Sequence, residues 1–215
     1  MKDELEGLLQ FSDLSAGDVA DLSSLCLGCV YWELPEEFDR GPSAQEMRTL
    51  KEEWLVAHTR SALLGKVARK EGEILGCVQF GPPELYPQQS NYRSGPASAD
   101  AMLVTCLFVK SEYRGRGLAK RLLSLAEAAA RQAGYYAIET YARRGSSDNP
   151  SGPIELYQEC GFALARDDPE FPLVRKALPA SNGSPEAVAD AWARLPSVDR
   201  EKRVLPMDAH FTAAT

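Results

Sequence analysis

Along the chain, stretches with helical spacing of apolar residues alternate with stretches of extended character. In 42–65, "PSAQEMRTLKEEWLVAHTRSALLG", Met47, Leu50, Trp54, Leu55 and Ala57 or His58 recur every three to four residues. That spacing predicts one apolar helical face, with Gly65 as its stop. "KVARKEGEILGCVQF" (66–80) alternates apolar and polar residues on both sides of "KEGE", a hairpin pattern ended by Pro82 and Pro83. "AMLVTCLFV" (101–109) is apolar nearly throughout, as expected of a strand covered on both faces. From Gly117 to Ala133, Leu118, Leu122, Leu125, Ala126 and Ala129 return to helical spacing, and Gly134 ends the run. "YYAIETYA" predicts a strand, "PIELYQEC" a short helix ended by Gly161, and "FALARDDPEFPLVRKAL" one or two closing strands. Upstream, "GLLQFSDLS" reads as a first strand and "AGDVADLSSLC" as a short helix.

Two segments lack this order. Residues 81–100, "GPPELYPQQSNYRSGPASAD", hold four prolines, two glycines and no period. Aperiodic loops of that length often carry function. "PASNGSP" (179–185) is a linker by composition, and Ser184 with Pro185 opens a helix with Val188, Trp192 and Leu195 as its stripe. Interleaved helices and strands predict an α/β (α+β) domain over 1–178, followed by a linker, short helix and tail over 179–215. The tail helix has three open roles: docking on its own domain, a homodimer contact, or a lid.

Charge narrows the partners. The formal net charge is −7, which argues against nonspecific nucleic-acid binding. No apolar run reaches the roughly 18 residues of a membrane span, and the N-terminus lacks a signal-peptide core. Five cysteines, an odd count, with no secretory signal predict reduced thiols and a cytoplasmic location.

Against that acidic background, "YRGRGLA" (113–119) is a cationic, glycine-rich turn between a strand and a helix. Such a turn leaves amides unpaired at a helix N-terminus, where backbone and dipole favour an anion such as phosphate. Glycine lets the anion approach the amide closely, and Arg114 and Arg116 can add charge-assisted hydrogen bonds. An ordinary turn with solvated arginines is the alternative. The P-loop pattern is absent, and the dinucleotide fingerprint would need glycine where Lys120 stands.

The stretch "CLFVKSEYRGRGLAKRLLSLAEAAARQAG" resembles the GNAT superfamily of acyl-CoA N-acyltransferases. Arg114, Gly117 and Ala119 match the R/Q-x-x-G-x-G/A pyrophosphate loop of that family. Downstream, "PIELYQECGF" is similar to its L-Y-x-x-x-G-F segment through Tyr157, Gly161 and Phe162. An asparagine is frequent in the family seven residues before the tyrosine; Pro150 stands there, beside Asn149. The resemblance covers roughly residues 60–178. It implies a mixed, mainly antiparallel central sheet flanked by helices, and acetyl-CoA as co-substrate without a metal. It further implies that the backbone of Arg114, Gly115, Arg116, Gly117, Leu118 and Ala119 holds the pyrophosphate. The strand ending Leu107, Phe108, Val109 would pair with the pantetheine arm. Tyr157 would stand near the thioester sulfur as the acid, unless it is a structural tyrosine.

Acyl transfer to an amine also needs a group to take the amine's proton. Glu139 in "AIETYA" and Glu33 in "YWELP" are the two candidates. Strand alternation sets Glu139 on the face of Ala137 and Tyr141, which makes it either a cleft residue or a solvated one. "CLGCVYWELPEEFDRGP" lies where the resembling family helps build its acceptor pocket. Tyr31 and Trp32, with Tyr86 from the long loop, are the expected apolar walls. Glu33, Glu36, Glu37 and Asp39 either attract a cationic amine or form a solvated turn. Cys26 and Cys29 have C-x-x-C spacing but no second pair to complete a zinc site. A redox pair, a substrate lining and two small buried residues stay open for them. The predicted activity is direct acetyl transfer to a primary amine, on a small molecule, a peptide N-terminus or a lysine. A non-catalytic acyl-CoA sensor is the alternative.

Overall fold

A computed structural model describes residues 9–20, 28–59, 63–145 and 151–179. Cys26, the linker after Pro179 and the expected C-terminal helix lie outside these residues. The helices are α1 (Gly17–Ala20), α2 (Pro35–Asp39), α3 (Ala44–His58), α4 (Leu118–Gln132) and α5 (Ile154–Glu159). The strands are β1 (Gln10–Asp13), β2 (Gly65–Lys70), β3 (Glu73–Gly81), β4 (Ala101–Val109), β5 (Ala137–Tyr141), β6 (Ala163–Arg166) and β7 (Leu173–Ala177). The strands form a seven-stranded sheet in the order β1-β2-β3-β4-β5-β7-β6. Every pairing is antiparallel except β4 with β5. This is the mixed, mainly antiparallel sheet that the family resemblance implies.

Local chemistry explains most boundaries. Ser43 caps α3 through a reciprocal box: its hydroxyl accepts from the Glu46 amide at 3.3 Å, and the Glu46 carboxylate accepts from the Ser43 amide at 2.7 Å. The helix ends at His58, and Gly65 instead opens β2, opposite Gln79. The expected stop at Gly65 is therefore corrected: helical spacing lapses before the glycine. The hairpin turns on Glu71 and Gly72, both at positive φ (52° and 87°), which suits the twist of a two-residue connection. Helix α4 stops in a Schellman arrangement. Gly134 sits at φ 84°, and the Tyr135 amide donates to the Ala130 carbonyl at 2.9 Å.

The sheet has a core on each face. On one, α4 lays Leu122, Leu123, Ala126 and Ala130 over Val78, Phe80, Val104 and Ile138, and α5 adds Tyr157. Alanines on the helix bring its axis close to the strands. On the other, Trp32, Trp54, Leu55 and Tyr86 cover Cys77, Leu103, Cys106 and Tyr141. Strand β5 is buried along its whole length. Among the described residues no helix is long and apolar enough to cross a membrane.

Candidate active site

The two central strands part company. Strand β4 pairs with β3 from Leu103 to Val109 but with β5 only from Ala101 to Val104. Opposite the Gln79/Phe80 step the register shifts, so Thr105 is an extra residue on β4 and the strand bends there. Leu107, Phe108 and Val109 thus run on with no β5 partner. Leu107 and Phe108 are half-buried along that opening.

The opening leads to the cationic turn. Gly115 and Gly117 have φ of 70° and 89°, the left-handed region where a side chain would be strained. A Cβ at either position would meet open space, so the turn's conformation, and not crowding, demands glycine. Among the described residues no oxygen accepts from the amides of 115–120, and the first helical bond runs from the Arg121 amide to the Gly117 carbonyl at 3.0 Å. A row of unpaired donors stands at the start of a 15-residue helix. The two arginines differ. Arg114 folds back, its Nε donating to the Val109 carbonyl at 2.9 Å, which ties the turn to the strand end and occupies that carbonyl. Arg116 lies over the Tyr113 ring, 5.7 Å from its centroid.

Tyr157 reaches the same junction from α5. Its phenol adjoins Thr140, the last β5 residue paired with β4, and the Gly152 backbone. Burial pushes the phenol up to about 12, and hydrogen bonding to Thr140 and Gly152 restrains the rise. Buried Arg143 positions the helix: its Nε donates to the Ser151 carbonyl at 3.1 Å, and its backbone brackets Gly152 and Ile154. Gly152 leaves the phenol its space, since a Cβ there would lie 2.8 Å from the oxygen and 3.0 Å from two ring carbons. Gly152→Ala is expected to lower turnover about tenfold or more by displacing the phenol, with cofactor affinity intact. Steady-state kinetics beside calorimetry reads both.

Glu139 is neither a cleft residue nor a solvated one, because both faces of β5 are covered. Its carboxylate accepts from the Ser98 amide (2.7 Å), the Ser98 hydroxyl (2.8 Å) and Arg175 (2.7 Å). Both oxygens are occupied holding the long loop to the sheet. Glu33 likewise leaves the surface acid cluster expected of it. It is 2% exposed, 2.5 Å from the Lys51 ammonium, and shares that oxygen with the Gln79 amide. Its other oxygen, Oε2, is buried with no partner. Nothing in the sequence flagged Lys51 or Gln79.

Tyr86 is fully buried, and its phenol oxygen also lacks a partner of hydrogen-bond geometry. It is no cleft wall. Trp32 is buried and stacks on Tyr92 (5.3 Å), which stacks on Tyr141 (4.2 Å), the residue directly after the last β4–β5 pair. Tyr31 does line a cleft, of about 370 Å³, with Tyr92, Phe171, Arg93, Asp168 and Glu170. The Glu170 and Phe171 amides, with Arg93 3.1 Å away, hold the Asp168 carboxyl below its usual range. Burial pushes the Cys29 thiol up, and the sulfur accepts from the Tyr31 amide at 3.4 Å. Among the described residues no group of three or more His, Cys, Asp or Glu could hold a metal ion.

Similarity to known proteins follows this geometry. No curated protein matches the sequence. Among solved structures, a putative acetyltransferase from Acinetobacter baylyi is 17% identical with a TM-score of 0.53, over 82% of this chain and 97% of that one. The PaiA N-acetyltransferase from Thermoplasma acidophilum, in complex with coenzyme A, is 16% identical with a TM-score of 0.50, over 79% and 98%. At such identities the likeness shows the fold. The family description "Acetyltransferase (GNAT) family" matches residues 29–162, more than half of the sequence and the span from Cys29 to Phe162 that builds both the split sheet and the glycine turn. The chain belongs to the GNAT acetyltransferase family.

Proposed function

We propose that the protein transfers an acetyl group from acetyl-CoA directly to a primary amine. The observation that carries this reading is the row of unpaired amides at 115–120, set where β4 has left β5 and a 15-residue helix begins. A diphosphate would satisfy those donors and the helix dipole together. The pantetheine arm would lie along the free edge of β4 at Leu107 and Phe108. The coenzyme A complex of the Thermoplasma acidophilum protein supports that choice of donor.

The residues then divide the proton transfers. A β4 amide beyond the split faces the carbonyl oxygen of the thioester as it becomes an oxyanion. Tyr157, protonated throughout the neutral range, gives its proton to the departing thiolate. The amine must lose a proton. Of the two carboxylates, Glu33 keeps a free oxygen and Glu139 does not. The cleft at Tyr31, Tyr92 and Phe171 suits the apolar body of the acceptor, with Asp168 and Glu170 favouring a cationic one.

Titration calorimetry tests the donor. Acetyl-CoA should bind the wild type, and the double variant Arg114→Ala, Arg116→Ala should bind it about tenfold or more weakly, through loss of charge-assisted contacts and of the tie to Val109. Equal affinity in both would remove the loop assignment.

A further inference from the structure

The cleft beside Tyr31 has aromatic walls and one uncompensated charge. Its volume of about 370 Å³ lies at the lower end for small-molecule sites. Three segments meet there: Tyr31 before α2, Tyr92 and Arg93 in the long loop, and Asp168, Glu170 and Phe171 in the β6–β7 turn. The rings hold one another. The Tyr31 and Tyr92 hydroxyls lie 3.2 Å apart, Tyr31 meets Phe38 edge-on at 5.3 Å, and Tyr92 meets Phe171 edge-on at 5.5 Å. Such walls take methylene groups by apolar contact and attract cations to their ring faces.

The cleft runs toward the split in the sheet. Tyr92 stacks on Tyr141, which follows Thr140, the partner of Val104 in the last β4–β5 pair. Phe108, on the unpaired end of β4, packs against the same cluster as Tyr31 and Tyr92. Glu170 marks the other end. The Arg144 amide donates to its carbonyl at 2.9 Å, and Arg144 lies four residues beyond Thr140, at most about 13 Å of extended chain.

The charges of the lining do not cancel. Asp168 spends both oxygens: Oδ1 accepts from the Glu170 and Phe171 amides at 2.9 and 2.8 Å, and Oδ2 lies 3.1 Å from Arg93 Nε. Arg93 and Asp168 therefore neutralise each other. Glu170 is exposed, and its carboxylate makes no hydrogen bond or ion pair among the described residues. One negative charge remains, at the end away from the split. An anion beside the reacting nitrogen would favour its ammonium form and oppose attack on the thioester. A carboxylate at the far end helps only a cation that does not react.

We propose that the acceptor is a small aliphatic diamine or polyamine, and that Glu170 determines this specificity by holding the second, non-reacting ammonium while Tyr31, Tyr92 and Phe171 line the methylene chain between the two nitrogens. The inference rests on the acyl-transfer reading above. The near nitrogen, neutral when it attacks, forms the N–C bond as the C–S bond breaks. It gives up one proton in exchange for the one the thiolate gains. The far ammonium keeps its charge throughout.

The test pairs two probe amines of equal length, 1,7-diaminoheptane and heptylamine, with the variants Glu170→Gln and Glu170→Lys, in the full chain. Release of coenzyme A thiol is the readout. The wild type should show kcat/KM about tenfold higher for the diamine, of which about twofold reflects its second reactive end and the rest the ion pair. Glu170→Gln should bring the ratio to about twofold through KM, with kcat for the diamine and both constants for heptylamine nearly unchanged, as expected of a contact kept equally in ground and transition states. Glu170→Lys should push the ratio below one. Calorimetry of 1,7-diaminoheptane on the protein loaded with coenzyme A should give the same order of affinities without turnover. A wild-type ratio of about two, a ratio unmoved by Glu170→Gln, or a protein that binds acetyl-CoA and acetylates neither amine would overturn the inference and leave the donor assignment standing. A wild type that binds no acetyl-CoA would instead remove the acyl-transfer reading, and this inference with it.

Discussion

Tyr157→Phe is expected to lower kcat about 100-fold while acetyl-CoA affinity changes less than threefold, since general acid catalysis contributes roughly that much. The phenol is buried beside Thr140, so removing one oxygen leaves the ring's packing against Phe162 (5.5 Å between centroids) in place. The fold should survive, and the loss should fall on turnover. Because burial holds the phenol's titration near 12, the wild-type rate should show no alkaline fall from this group below about pH 11. A Phe variant with wild-type kcat, or an alkaline limb near 10 that vanishes in the variant, would remove Tyr157 from the chemistry. Steady-state and single-turnover rates on both proteins decide it.

The second large effect is unfolding in base. Five of the eight tyrosines, Tyr86, Tyr92, Tyr135, Tyr141 and Tyr157, are raised above the ordinary phenol value, in each case mainly by burial. In the unfolded chain they lose protons near 10. Between that value and the native one, the native state holds more protons than the unfolded state, so stability falls as pH rises. Below pH 10 both states are protonated and the stabilisation is complete. Above it, each group withdraws up to about 1.4 kcal/mol per pH unit, and five withdraw about 7. A domain's whole stability is roughly 5–15 kcal/mol, so the chain should unfold cooperatively between about pH 10.5 and 12. Circular dichroism and tyrosinate absorbance should change together. Tyrosinate from all five at pH 10 with intact dichroism would contradict the burial argument.

How much of the site was legible depends on how far each feature reaches along the chain. The glycine turn is local. Its conformation needs Gly115 and Gly117, and its donors belong to the first residues of the helix it opens, so seven letters contain the whole anion-binding design. For Tyr157 the local pattern gave only a short helix ended by Gly161; its place in the site was implied by the family segment that Tyr157, Gly161 and Phe162 resemble. Lys51 was not legible. It lies at i, i+3, i+4 and i+7 with Trp54, Leu55 and His58, which together form the buried face of α3. A lysine in a helix reads as solvated until an acid 18 positions away and a glutamine 28 away bury it. Leu50, placed on the apolar face by its spacing, is only half-buried, while its neighbour Lys51 is buried. Glu139 misled for a different reason. Alternation says which residues share a face, and cannot say that both faces are covered. Gly152 reads as a loop residue, and its purpose appears only against the phenol that fills the space where a Cβ would be.

By itself, then, the sequence determined the elements and the anion-ready turn, because periodicity and backbone freedom act within a few residues; the mixed sheet and the role of Tyr157 followed only from the family its motifs resemble. Only the tertiary structure decided where β4 leaves β5, which acid keeps a free oxygen, and which polar side chains are buried against one another. Those outcomes depend on contacts between segments dozens of residues apart, where burial and charge are set by neighbours that no local pattern names.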